Sequence, residues 1–152
     1  MKKLIMSLVL VGACQSSPPP TTRPATVVTI GSGSGAPDPV SAIRGFLNAA
    51  KEPDLQAMSV LFGDTQGAAR DGLPREELEK RELIMARCLR NDRYDILSDA
   101  SAPGGGRTFS VSLQYKELTR SSSFQVVKGP SNRWYVQKFD LGALNDICTH
   151  RT

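Results

Sequence analysis

The chain has 152 residues, 39% apolar, 22% charged and 6% aromatic, with 13 Gly, 10 Pro, 3 Cys, one His and a formal net charge of +4. At roughly 100–200 residues per domain, this length allows one domain and excludes a multidomain enzyme, a TIM barrel or a complete dinucleotide-binding fold. The first 37 residues are rich in Pro and hold no Asp or Glu, which leaves about 115 residues for a single modest core.

The chain opens with Lys2 and Lys3, followed by a mostly apolar run from Leu4 to Ala13. A basic start and a short apolar stretch are the pattern of a signal peptide. As a helix, such a run rises about 15 Å, half of a hydrocarbon core of roughly 30 Å, so it is no permanent span. The next residues, Val11, Gly12, Ala13 and Cys14, resemble a bacterial lipobox: an aliphatic residue, two small ones and the cysteine that accepts lipid. The resemblance implies cleavage before Cys14, which would then carry a thioether diacylglycerol and an N-acyl chain. Two or more chains anchor a protein stably. The implied location is the bacterial cell envelope, facing the periplasm or the exterior, with the membrane as first partner. Gln15 rather than Asp after the cysteine favours the outer membrane in a Gram-negative host.

Removing Lys2 and Lys3 takes the formal charge from +4 to +2, too mild for a nucleic-acid partner. Two cysteines then remain, Cys88 and Cys148, in a chain bound for an oxidising compartment, and an even pair there reads as a disulfide. The alternatives are a buried free pair or a metal site, and the latter would have only His150 and no CxxC spacing to draw on.

Residues 14–37 read as the lipidated cysteine and a disordered tether, with polyproline character at Pro18–Pro20 and a Gly/Ser joint at Gly31–Gly35. Thr26–Ile30 followed by Gly31, Gly33 and Ala36 imitates a dinucleotide fingerprint. A real one needs a second strand ending in an acid about 20 residues on, where this chain has Lys51, Glu52 and Pro53. Whether Val27–Ile30 adds a strand to a sheet edge stays open.

The globular part is expected over 38–152. Asp38 and Pro39 start a first helix with Val40, Ile43, Phe46, Leu47 and Ala50 on one face. Asp54 opens a second, with Leu55, Met58, Leu61 and Phe62; residues 63–74 read as loop. A third helix, from about Pro74 to Arg90, places Leu78, Ile84, Met85, Cys88 and Leu89 inward, with Glu76–Lys80 and Glu77–Arg81 pairs on the solvated side. The period then changes to two. Strands are predicted over Arg93–Ser98, Arg107–Glu117, Ser121–Lys128 and Arg133–Asp140, and a short helical turn over Leu141–Cys148. In the last strand, strict alternation puts Trp134 and Val136 on one side, Tyr135 and Phe139 on the other. The predicted class is α+β: three N-terminal helices packed on a curved four-stranded antiparallel sheet.

The run from Val40 to Phe62 is similar to the opening of NTF2-like (SnoaL-type) domains, in which a sheet of two hairpins wraps a long first helix as a half-open cone. The resemblance implies a pocket inside the cone, for which Phe46, Tyr115, Trp134, Tyr135 and Phe139 are the candidate lining. Plain core packing is the competing reading for these aromatics. Enzymes of that superfamily place acid–base pairs, commonly Asp and His, in the cone. This chain has only His150, near its end, and Asp95, Asp99 and Asp140 read as surface or turn residues. No nucleophile elbow, P-loop, paired carboxylates or metal constellation is present, so no catalytic residue, cofactor or metal is expected. The expected function is a lipid-anchored, non-catalytic binding or interaction module for a small apolar ligand or an envelope protein. Its rivals are a small-pocket enzyme and a structural accessory subunit.

Overall fold

A computed structural model of the protein describes residues 33–150. The expected signal peptide, Cys14 and the chain as far as Ser32, Val27–Ile30 included, lie outside the described residues.

Helix α1 (Pro39–Lys51) is capped by Asp38, whose carboxylate accepts the Ser41 N–H at 2.8 Å and the Ser41 hydroxyl at 2.6 Å. Its buried face carries Ile43, Phe46, Leu47 and Ala50. Helix α2 (Leu55–Leu61) is capped in the same way, with the Ala57 N–H donating to Asp54 at 3.0 Å. Met58 and Leu61 point into the core.

Residues 63–74 are not a plain loop. Two-residue strands β1 (Gly63–Asp64) and β2 (Gly67–Ala68) form a tiny hairpin, and one helical turn, α3 (Ala69–Gly72), follows. The Gln66 N–H donates to Asp64 Oδ1 at 2.7 Å and closes the turn, and Gly67 takes a φ of +133° open only to glycine. Gly63 lies so close to the opposing strand that a Cβ there would stand 2.1 Å from the Gly67 carbonyl oxygen. Elements this short have no periodicity, and their turn-forming composition reads as loop. Four helices therefore precede the sheet, where three were expected.

Helix α4 (Arg75–Cys88) carries the expected exposed pairs, Lys80–Glu76 at 2.8 Å and Arg81–Glu77 at 2.5 Å, with Arg75–Glu79 at 2.7 Å beside them. Its inward stripe is Leu78, Glu82, Met85, Ala86 and Cys88, followed by Leu89 just past the helix. Ile84 was expected inward but is 58% exposed, because it stands about 100° round the helix from Met85, outside the inward stripe.

The main sheet is an antiparallel meander in sequence order: β3 (Arg93–Ser101), β4 (Arg107–Tyr115), β5 (Leu118–Lys128) and β6 (Trp134–Phe139). Phe109, Val111 and Leu113 of β4, Phe124 and Val126 of β5 and Val136 of β6 join α1, Met58 and Leu61 in one core. The opposite sheet face is rich in Ser and Gln, including Ser110, Ser112, Gln114, Ser121 and Ser123. That is the alternation expected of a sheet with one wet face.

Phe139 departs from that alternation. Val126 pairs with Val136 while Gln125 pairs with Lys138, so Gln137 is an extra residue, a bulge. The bulge shifts the face by one position and brings Phe139 opposite Phe124, onto the core side with Trp134 and Val136, rather than beside Tyr135.

The outer edge of β6 is partly covered. Ala36 and Trp134 exchange backbone hydrogen bonds of 2.9 and 2.8 Å, and Phe62 bridges Val136. Arg133 Nη2 donates to the Gly35 carbonyl at 2.5 Å. The stretch 33–37, assigned by its composition to the tether, thus packs on the domain at Gly35 and Ala36. Helix α5 (Asn145–Thr149) follows the sheet; Ile147 is buried and Asp146 pairs with Arg120. Cys148 forms a disulfide with Cys88, tying α5 to α4, and Arg87 Nε donates to the Cys148 carbonyl at 2.7 Å. Among the described residues the class is α+β, with five α-helices, a four-stranded antiparallel sheet and a separate two-stranded one. Among the described residues no helix is long and apolar enough to cross a membrane.

Candidate functional site

Helix α3 and the β1–β2 hairpin stand among α2, α4 and β6 and leave a cleft on either side. One, of about 540 Å³, has Asp64, Gln66, Asp71, Arg81 and Gln137 among its lining residues. The other, of about 450 Å³, is walled by Gln56 and Ser59 of α2, Arg70 and Asp71 of α3, and Arg75, Leu78, Glu79 and Glu82 of α4. Asp71 borders both. Volumes in this range suit a small ligand.

The second cleft holds the most unusual side chain in the domain. Glu82 occupies a core position of α4, four residues after Leu78 and three before Met85, and is only 2% exposed. Its Oε1 is buried with no hydrogen-bond partner among the described residues. Burial disfavours the charged form, and the nearby Glu79 carboxylate adds to this. Together they raise its pKa from an ordinary 4.5 to about 7. An orphaned buried carboxyl is costly, and in a native fold it needs an explanation.

Its neighbours are largely engaged with one another. Arg75 pairs with Glu79 at 2.7 Å, and Arg70 lies 3.7 Å from Asp71. Arg70 Nη2 also donates to the Ser34 hydroxyl at 3.1 Å, which links the segment before α1 to this side of the molecule. Ser59, itself buried, donates its hydroxyl proton to the Gln56 carbonyl at 2.8 Å and keeps its oxygen lone pairs. Glu82 is left as the uncompensated group.

The aromatic residues singled out from the sequence are spread over several places. Phe46 is fully buried, with its ring centroid 6.1 Å from both Phe62 and Phe139. Tyr115 lies at another part of the core and meets His150 edge-on, centroids 5.7 Å apart. Trp134 is half-buried, with Lys128 Nζ 5.8 Å from its ring centre. Tyr135 is buried beneath Gly35 and Gly129 on the other sheet face, beside a small hollow with Ser34, Pro130 and Arg133. Phe139 also edges a shallow hollow shared with Thr108, Gln125 and Lys138. Among the described residues, the hollow beside Tyr135 and the one beside Phe139 are each lined by one of these five side chains.

The acids read as surface residues are so placed. Asp99 is held by Arg107 at 2.5 Å, Asp95 is exposed, and Asp140 accepts the Ala143 N–H at 3.2 Å. Glu82 was not singled out from the sequence. Its signal was a carboxylate on the apolar stripe of α4, obscured by the Glu- and Arg-rich composition around it. No protein-family model matches this chain, and no curated protein matches it.

Proposed function

We propose that the chain is a lipid-anchored cell-envelope protein whose NTF2-like domain is a non-catalytic binding module, with the Glu82 cleft as its binding site. The observation that carries the binding reading is the unpartnered Glu82 carboxyl in a ligand-sized hollow. The lining is polar, so the ligand is a polar molecule rather than the apolar one that the aromatic residues suggested. Around Glu82 the other charged groups are paired, which leaves a single recognition group instead of an acid–base couple. The NTF2-like reading is supported by α1 lying against one face of an antiparallel meander, with α2 directly after it. The β1–β2 hairpin and α3 are additions to that plan.

The anchoring half of the proposal stands on Lys2, Lys3, the apolar run and Val11–Cys14. Cys14→Ser is expected to abolish labelling by a palmitate analogue and to release the protein from membranes. Unchanged membrane retention would overturn it. A second reading, an accessory subunit of an envelope complex, is favoured by Leu83 and Ile84, adjacent on the outer side of α4 and each 58% exposed.

A further inference from the structure

We propose that the Glu82 cleft accepts a ligand carrying one positive charge, an aliphatic amine whose ammonium group sits against the Glu82 carboxylate. The inference rests on the binding-module reading above and adds the chemistry of the ligand.

Charge accounting comes first. Three carboxylates border the cleft, Asp71 from α3 and Glu79 and Glu82 from α4, together with two guanidinium groups, Arg70 from α3 and Arg75 from α4. Arg75 is matched by Glu79 and Arg70 by Asp71. One negative charge remains, that of Glu82, and it is the most deeply buried of the set. A single cation completes the balance.

Hydrogen-bonding capacity points the same way. The side of the cleft formed by α2 presents Gln56 and Ser59, and the Ser59 proton is already committed to the Gln56 carbonyl, so the hydroxyl oxygen is free to accept. Glu82 in its ionised form only accepts. An ammonium group, with three donors and no acceptor, is the complement of such a wall. A divalent cation fits poorly, because calcium needs six to eight oxygen ligands and only one carboxylate here lacks a cationic partner. Leu78 and the carbon stems of the Gln, Glu and Arg side chains give the cleft apolar surface suited to a short aliphatic stem.

The amine 5-aminopentan-1-ol and its neutral isostere 1,5-pentanediol, titrated into the full chain and followed by backbone amide shifts, test this. The amine is expected to shift resonances of Gln56, Ser59, Arg70 and Glu82 saturably, and the diol to leave them in place. Because an amine needs Glu82 ionised, affinity should rise about 30-fold from pH 5.5 to 8, given a pKa of about 7 in the empty cleft. Glu82→Gln, which preserves shape and removes the charge, should abolish amine binding with the fold retained. Ser59→Ala should weaken it severalfold. Equal binding of amine and diol, absence of any shift, or amine binding that survives Glu82→Gln would overturn the inference. So would an affinity that falls with rising pH, which would assign the site to an acceptor held by protonated Glu82. Binding of the diol, or of such an acceptor, would leave the binding-module reading standing, and release by Cys14→Ser reports on the anchor independently.

Discussion

Phe124 and Phe139 stack with ring centroids 5.2 Å apart and planes 17° from parallel, a pairing made by the bulge at Gln137. Phe139 also approaches Phe46 of α1 at 6.1 Å, so one side chain joins the last strand to the central helix. Truncation by Phe139→Ala should cost roughly 2–3 kcal/mol, less than a fully buried Phe because the residue is half-buried. Deleting Gln137 should cost less, since it removes the extra residue and leaves Lys138 opposite Gln125 and Phe139 opposite Phe124 in a regular ladder. Urea unfolding of both variants measures this; a deletion more destabilising than Phe139→Ala would show that Gln137 does more than set the face.

Glu82 makes stability depend on pH with a definite sign. Its folded pKa is raised, so the folded state holds the proton more tightly than the unfolded one between 4.5 and about 7. Stability should therefore fall as pH rises through that window, by at most about 3 kcal/mol. Glu82→Gln should remove this slope and be the more stable protein at pH 8. Chemical denaturation of both proteins at pH 5 and pH 8 provides the check, and parallel slopes would count against a buried carboxyl.

The Cys88–Cys148 disulfide spans a sequence separation of 60. Chain entropy gives about 4 kcal/mol for closing a loop of that size, an upper value. Replacing both cysteines by Ser should lower stability toward that figure and first loosen α5, held otherwise by Ile147, the Arg120–Asp146 pair and Arg87. Thiol labelling of unreduced protein should find neither cysteine reactive; labelling of both would refute the bond.

Gly63 fixes the hairpin beside the clefts. Gly63→Ala places a methyl group 2.1 Å from the Gly67 carbonyl oxygen, a contact that only backbone movement relieves. The hairpin should open and the Ala69 N–H, which donates to Phe62 at 2.8 Å, should lose its protection from hydrogen exchange. The β3–β6 sheet should keep its protection. Unaltered exchange at Ala69 would show that the hairpin tolerates the side chain.

The long periodic elements were legible because their environment is uniform along their length. Ile43, Phe46 and Leu47 recur at helical spacing against one core, and Phe109, Val111 and Leu113 alternate against the same core, so position in the sequence translates directly into a face. The period failed at Phe139, where one extra residue in β6 reverses every following face. It failed again at Ile84, where an apolar residue tolerated on the surface was read as core. Residues 63–74 were unreadable for a different reason: a hairpin of two-residue strands is stabilised by Gly63 and Gly67 contacts and by neighbours, not by a pattern of its own.

The sequence alone determined the α+β class, the four long antiparallel strands and the outward ion pairs of α4, and it favoured the pairing of Cys88 with Cys148. The first three follow from local periodicity and turn chemistry, which are properties of neighbouring residues, and the last from a count of cysteines that leaves one pair. The cleft was decided only by tertiary structure. Glu82 is an ordinary helix residue in a charged stretch until α2 closes over it and α3 brings Arg70 and Asp71 to the same hollow. Burial and the matching of charges arise from segments distant in the chain. A carboxylate's environment is set by what folds onto it.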